Sequence, residues 1–183
     1  MDHFDSDPFK LIEELTEIGI ALSAERDHDR LLEMILEQAE RITGADGGTL
    51  YLYSDDDTLR FEIVHTESLG IRMGGTSGTP ITFPPITLHD RAGNPNHKMV
   101  AAHCALSRET VNIEDAYSNS LFDFSGTQTF DRSTGYRSQS FLTVPMSNHE
   151  GELIGVLQLL NGRDPDTRKV RAFTVLDQKL VES

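Results

Sequence analysis

The 183-residue sequence has one cysteine, no tryptophan and no apolar run long enough to cross a bilayer. Cys104 alone allows neither an internal disulfide nor a cysteine-based zinc site, so the chain is expected in a reducing compartment without a covalent staple. The opening residues, MDHFDSDPFK, are acidic where a secretion signal needs a basic start and an apolar stretch, which points to the cytoplasm. Positive charge is also scarce, with 16 Lys and Arg against 30 Asp and Glu and a formal net charge of -14. A duplex nucleic-acid surface needs clustered Lys and Arg to offset phosphate, so neither nucleic acid nor membrane is expected as a partner. The deficit is uneven: residues 1–60 carry 16 acids and 5 bases, and residues 61–183 carry 14 and 11. The acidity therefore belongs mainly to the amino-terminal segments, and an anionic ligand is still admissible elsewhere.

Signatures of catalysis are missing too. GGTSG at Gly74–Gly78 lacks the lysine and the helix start of a nucleoside triphosphate loop. Of the seven histidines, His97 and His103 are six residues apart, a spacing that suits one helix face poorly, so no metal site is expected. Acids such as Asp123 and Asp131 are too common here to single out an acid–base pair. No catalytic residue is assigned.

The sequence does contain a consistent set of amphipathic segments. Hydrophobic residues at 37% and charged residues at 25% suit one globular core, and the length suits one domain, 9–183, behind a flexible tail, 1–8. Phe9, Leu11, Ile12, Leu15, Ile18 and Leu22 recur at helical spacing after Pro8, and Leu31, Leu32, Ile35, Leu36, Ala39 and Ile42 form a second stripe. The period then changes to that of strands. Thr49–Tyr53 and Leu59–His65, on either side of an acidic turn, predict a hairpin, and Ser140–Pro145 with Leu153–Leu160 predict another. In the latter arm Leu153, Leu157 and Leu159 are expected on one face, and Ile154, Val156, Gln158 and Leu160 on the other. Only Gln158 is polar among these, so both faces should be covered. A short helix is expected over 97–106, and a last one starting within Thr167–Val170. That helix is still amphipathic at Ser183, which suggests a truncated element.

Two segments invite a ligand. The excursion 68–97 is rich in Gly and Pro and long for a structureless connection. Residues 121–136 combine aromatic, acidic and hydroxyl side chains with few aliphatic ones, and the stretch suited to a ligand runs over 122–143. Here Phe122, Phe124 and Phe130 can form an apolar wall or lid, and Asp123, Ser125, Asp131 and Thr134 can cap turns or meet polar ligand edges. Tyr136 reads as a wall residue. Arg137 can pair with a phosphate or with Asp131, while Ser138 and Thr143 extend the polar lining toward the hairpin.

FDRSTGYRSQSFLTVPM at Phe130–Met146, followed by GELIGVLQLLNG at Gly151–Gly162, resembles the second half of a GAF domain. ADGGTLYLYSDDDTLRF and VNIEDAYSNSLFDFSG extend the likeness to about residues 10–180, and it is nearest the bacterial class associated with HD-GYP phosphodiesterases and nucleotide cyclases. The resemblance implies an α+β fold related to PAS domains, with a central antiparallel β-sheet flanked by helices and a ligand cavity on one sheet face. It also implies a homodimer, and a carboxy-terminal effector domain in the full-length protein. In the cyclic-nucleotide-binding branch, an Asn-Lys pair follows the GVLQL strand and a Phe and an Asp-Glu pair follow later. Here Asn161, Phe173 and Asp177 match, whereas Gly162 replaces the lysine and Gln178 the final acid. The family's Lys–Asp salt bridge therefore cannot form through residue 162, although a cyclic nucleotide remains a candidate ligand.

The main expectation is a non-catalytic small-molecule sensor of a bacterial signalling protein. The alternative is a dimerisation scaffold whose cavity is filled by Phe122, Phe124 and Phe130. A GAF-like methionine sulfoxide reductase needs several reactive cysteines, and a haem sensor needs an empty pocket beside His103.

Overall fold

The computed structural model describes residues 8–183. Of the expected tail, only Pro8 lies within them. The elements run α1 (Pro8–Ala24), α2 (His28–Thr43), β1 (Ala45–Ser54), β2 (Thr58–Thr66), β3 (Ile71–Gly74), β4 (Ile86–Thr87), α3 (Val100–Ser107), β5 (Val111–Ile113), α4 (Ser125–Thr134), β6 (Phe141–Ser147), β7 (Leu153–Arg163), β8 (Val170–Arg171) and α5 (Val175–Glu182). The sheet is antiparallel in the order β3-β2-β1-β7-β6-β5, with β4 beside β2 and β8 beside β7. It is an α+β fold of the expected kind. Among the described residues no helix is long and apolar enough to cross a membrane.

Local chemistry sets the helix ends. Asp27 caps α2 by accepting from the Arg30 amide at 2.9 Å, and Gly44 closes it at φ 71°, where a side chain would be strained. Leu32, Leu36 and Ala39 then face the sheet, where Leu50, Ile63, Leu142, Leu157 and Leu159 complete one core. Burying each such side chain contributes about 1.5–3 kcal/mol. The last helix starts later than its periodicity suggests. β8 occupies Val170–Arg171, and a capping box between Thr174 and Asp177 fixes the first turn of α5.

Two irregularities decide which hairpin side chains join which core. In the β1–β2 pair the register shifts at Leu50/Tyr51, so Ile63 joins the α2 core whereas Phe61, two residues away, joins the opposite one. A second shift at Met146/Ser147 puts Leu153 with Val156 rather than with Leu157 and Leu159, contrary to simple alternation. Both faces of β7 are covered, by α2 and by α3.

Residues 125–134 form a regular helix where only turns and a lid were expected. Thr127, Phe130, Asp131 and Thr134 are at helical spacing, and Gly135 ends the run at φ 71°. Helix α3 starts at Val100, three residues after the expected start. Within the excursion 68–97 there are two short strands, β3 and β4, and a bridge between His89 and Pro95.

Candidate functional site

A cavity of about 520 Å³ lies between the sheet face opposite α2 and a layer made by α3, α4 and the excursion. This is within the usual range for small-molecule sites, roughly 300–1,000 Å³. Thr49 and Tyr51 of β1, Phe61, Val64 and Thr66 of β2, and Gln158 and Leu160 of β7 form the floor. Phe83–Thr87 and Asn96 from the excursion, Met99–Ala101 at the start of α3, and Phe124, Gly126, Thr127 and Phe130 from the α4 region form the walls and mouth. Phe83 is 43% exposed and Met99 40%, so the mouth is open on their side. The aromatic walls fall in two groups: Phe61 lies 4.8 Å from Tyr51 and 5.2 Å from Phe83, and Phe124 lies 5.7 Å from Phe141 between ring centroids.

Two polar side chains of the cavity are held in place by hydrogen bonds. Gln158 donates to the Thr143 hydroxyl at 3.0 Å, which fixes its amide on the floor. Asp123 accepts from the Ser125 amide at 2.9 Å, and the Ser125 hydroxyl and amide hold its carboxyl below the ordinary range. Gly126 and Thr127, in the first turn of α4, line the cavity, and a helix start favours negative charge nearby. No Lys or Arg lines the cavity among the described residues. An anionic guest would therefore depend on this helix start, and an N–H-bearing edge would suit Asp123.

Of the residues singled out in the sequence, Asp123, Phe124, Phe130 and Ser138 line the cavity. Thr143 sits one layer behind, as the acceptor for Gln158. Ser125 binds Asp123, and the Thr134 hydroxyl donates to the Phe130 carbonyl at 2.8 Å, within α4. Phe122 stacks outside the cavity, edge-on to His103 at 5.4 Å and to Phe124 at 6.4 Å.

Asp131, Tyr136 and Arg137 do not line this cavity. Asp131 is buried and accepts from the Tyr117 hydroxyl at 2.5 Å and from the Ser138 amide and hydroxyl at 2.8 and 2.7 Å, so it locks the exit of α4. Its partner is not Arg137. That guanidinium points outward, 3.9 Å from Asp115 and 4.2 Å from the Tyr117 ring centroid. The Tyr136 hydroxyl donates to Asp46 at 2.5 Å, and both burial and that carboxylate push its ionisation well above the ordinary value.

The residues missed in the sequence are Thr49, Tyr51, Phe61, Val64 and Thr66 on the floor, with Phe83–Thr87 and Met99–Ala101. Alternation along the first hairpin groups Thr49 with Tyr51 and Val64 with Thr66, whereas Phe61 lies across the register shift and Phe83–Thr87 and Met99–Ala101 lie outside the hairpin. Cys104 is fully buried, burial pushes its thiol up to about 12, and it donates to the Thr143 carbonyl at 3.7 Å. Such a thiol is ill suited to thiolate chemistry.

The half-kept motif is completed from elsewhere. Asn161 is buried, with φ 52°; its carbonyl accepts from the Gln139 and Ser140 amides at 2.7 and 3.1 Å, and its amide donates to the Tyr136 hydroxyl at 2.9 Å and the Arg137 carbonyl at 2.8 Å. It thus clamps the connection from α4 to β6. Asp177 is bridged at 2.7 Å by Arg171, which also donates to the Ala172 and Thr43 carbonyls at 2.9 and 3.0 Å. The carboxylate that lacks a lysine at 162 is therefore met by a guanidinium from β8.

The fold, the placement of its cavity and this motif define a class of small-molecule-sensing modules. The chain belongs to the GAF domain family, which it matches over residues 27–183. GAF domains are typically non-catalytic sensory modules.

Among curated proteins it is similar to the cGMP-specific 3',5'-cyclic phosphodiesterase of Drosophila sechellia, at 28% identity over 143 residues, 75% of this chain and 11% of that protein. It is also similar to the dual 3',5'-cyclic-AMP and -GMP phosphodiesterase 11A of Takifugu rubripes, at 35% identity over 88 residues, 48% of this chain and 9% of that protein. The chain thus spans about a tenth of the length of these relatives. Among solved structures, the GAF domain of a phosphoenolpyruvate-protein phosphotransferase from Coxiella burnetii has a TM-score of 0.65 at 14% identity, covering 95% of this chain and 87% of that one.

Proposed function

We propose that this chain is a non-catalytic regulatory module of a cytoplasmic signalling protein, with residues 9–183 acting as one unit. It binds a small nitrogen heterocycle of the cyclic nucleotide class in its cavity and relays occupancy to a carboxy-terminal effector. The observation that carries this reading is the convergence of Thr49, Thr66, Gln158, Asp123 and the first turn of α4 on one aromatic-walled space. A purine ring fits between the phenylalanines, its polar edge meets Gln158 or Asp123, and a cyclic phosphate takes the start of α4. The printed names of the curated relatives, cyclic nucleotide phosphodiesterases, favour the same ligand class. The Gly- and Pro-rich excursion supports placing the chain near the HD-GYP-associated class, with an effector of that kind as the partner domain.

We also propose that the module is a homodimer. None of the 17 residues of α1 is buried, and Phe9, Ile12 and Ile20 are 75%, 60% and 65% exposed along it. A second copy of the same acidic, apolar-striped helix pair is the occupant that would cover them.

Thermal shift and calorimetry against cyclic AMP, cyclic GMP and cyclic dinucleotides test the ligand. A ligand at 100 times its Kd stabilises the fold by about 2.7 kcal/mol, which appears as a rise of several degrees in Tm. No rise with any of these compounds overturns the cyclic nucleotide reading.

A further inference from the structure

The loop entering α3 brings together two histidines that the sequence spacing seemed to separate. Because His97 precedes the helix while His103 lies one turn inside it, their rings meet across the helix start rather than along one face. The two Nδ1 atoms are 2.8 Å apart, and the rings stand at 67° with centroids 4.9 Å apart. The pair is held from several sides. His103 rests edge-on against Phe122 at 5.4 Å, its amide donates to the Met99 carbonyl at 2.9 Å, and the Asp123 amide donates to the Lys98 carbonyl at 2.7 Å.

A neutral imidazole carries one in-plane lone pair. Two Nδ1 atoms directed at each other either share one proton or, with that proton moved to the donor ring's own Nε2, direct both lone pairs at a common point. The second arrangement is a bidentate chelate. At Zn–N distances of about 2.0–2.1 Å, two nitrogens on one tetrahedral ion stand roughly 3.3 Å apart, so the rings need to separate by only about half an ångström. Imidazole nitrogen suits zinc, nickel and copper and is a poor donor to calcium or magnesium. Among the described residues no third His, Cys, Asp or Glu joins the pair, so water supplies the remaining positions. His97 is exposed and His103 half-buried, which leaves an approach for an ion from solvent.

We propose that His97 and His103 form a two-histidine site for a divalent transition ion of the zinc class, distinct from the cavity and independent of what the cavity binds. The test is titration of the full chain with zinc chloride against a chromophoric chelator, with native mass spectrometry for stoichiometry. One ion per chain is expected, and His97→Gln and His103→Gln should each weaken binding by about tenfold or more, since loss even of an outer-sphere partner costs that much. Glutamine can still hydrogen-bond but is a poor zinc ligand, so these variants keep the local contact where alanine risks loosening α3. His89→Ala, on the histidine that faces Asp57, should bind as the parent does. Nitrogen-15 spectra of the rings should show both histidines as the Nε2–H tautomer once zinc is added. Equal zinc affinity in the parent and the double glutamine variant, or an Nδ1–H that survives zinc saturation, would establish a hydrogen bond only and overturn the site.

Discussion

Arg171 and Asp177 meet at 2.7 Å across the junction between the sheet and the last helix, and the same guanidinium reaches back to the carbonyl of Thr43 at the end of α2. One side chain therefore ties together the segment entering α2's far end, β8 and the first turn of α5. The Asp177 carboxylate also closes the capping box of α5 by accepting from the Thr174 amide at 2.8 Å. Helices α2 and α5 flank the sheet on the side away from the cavity.

Removing the guanidinium leaves a carboxylate that is 6% exposed without its cation. Arg171→Ala is expected to cost about 2–4 kcal/mol of unfolding free energy in urea denaturation, at the lower end of buried ion-pair losses because Arg171 itself is partly exposed. Adding Gly162→Lys, which supplies the family's cation, should recover part of that loss. The recovery will be incomplete, because a Cβ at 162 would stand 3.3 Å from the Phe173 ring and the Arg171 carbonyl. A double variant no more stable than Arg171→Ala would mean that Arg171 does not act as the lysine's substitute.

Acid sensitivity follows from Asp46. Burial opposes its ionisation, yet Ser68, Tyr136 and Arg163 more than offset this and hold its carboxyl below the ordinary range. Glu33 behaves similarly, with burial offset by Thr76 and Arg30. In both, the folded state gives up its proton more readily than the unfolded chain does. Their contribution is fully present above the ordinary carboxylate pKa of about 4 and is lost as pH falls through the lower folded-state values. Urea midpoints measured from pH 7 to pH 3 should fall in acid, and Asp46→Asn should lower the midpoint at pH 7 while flattening that acid decline. An Asp46→Asn curve parallel to the parent's would remove Asp46 from the explanation.

Gln158 lines the cavity and Arg137 does not. Gln158→Ala takes a fixed amide out of the cavity floor and should weaken a bound cyclic nucleotide by about tenfold, the worth of one hydrogen bond in a desolvated site. Arg137→Ala removes an exposed contact 3.9 Å from Asp115 and the guanidinium 4.2 Å over the Tyr117 ring, and should change affinity less than twofold and stability by about 1 kcal/mol. Calorimetry on the two variants checks both. A larger loss of affinity in Arg137→Ala than in Gln158→Ala would place the phosphate on the other side of the α4 connection.

Much of the fold was legible in the sequence because its signals are local. The stripe Leu32–Leu36–Ala39, the two hairpins and their turns depend on periodicities of 3.6 and 2.0, and these are where the helices and strands stand. Helix α4 was harder to see. Its ten residues carry one apolar side chain of any size, Phe130, and are fixed at the carboxy-terminal end, by Gly135 and by the Asp131 contacts to Tyr117 and Ser138, rather than by a stripe. The ligand wall was legible only in part, since Asp123, Phe124, Phe130 and Ser138 face the cavity while their neighbours Asp131, Tyr136 and Arg137 do not. Composition marks a polar aromatic segment but does not tell which side chains turn inward.

By itself, the chain's sequence determined the antiparallel hairpins, the amphipathic helices, the family and the absence of a lysine at 162, because these depend on residue type and on spacing within a few positions. Tertiary structure decided what depends on the meeting of distant segments. A register shift in the first hairpin chose which residues of β2 face the cavity, β8 delivered a guanidinium to Asp177, and a helix start brought His97 against His103. The physical reason is that a one-residue bulge inverts every side chain beyond it, and a contact between residues many positions apart is fixed by packing rather than by local pattern.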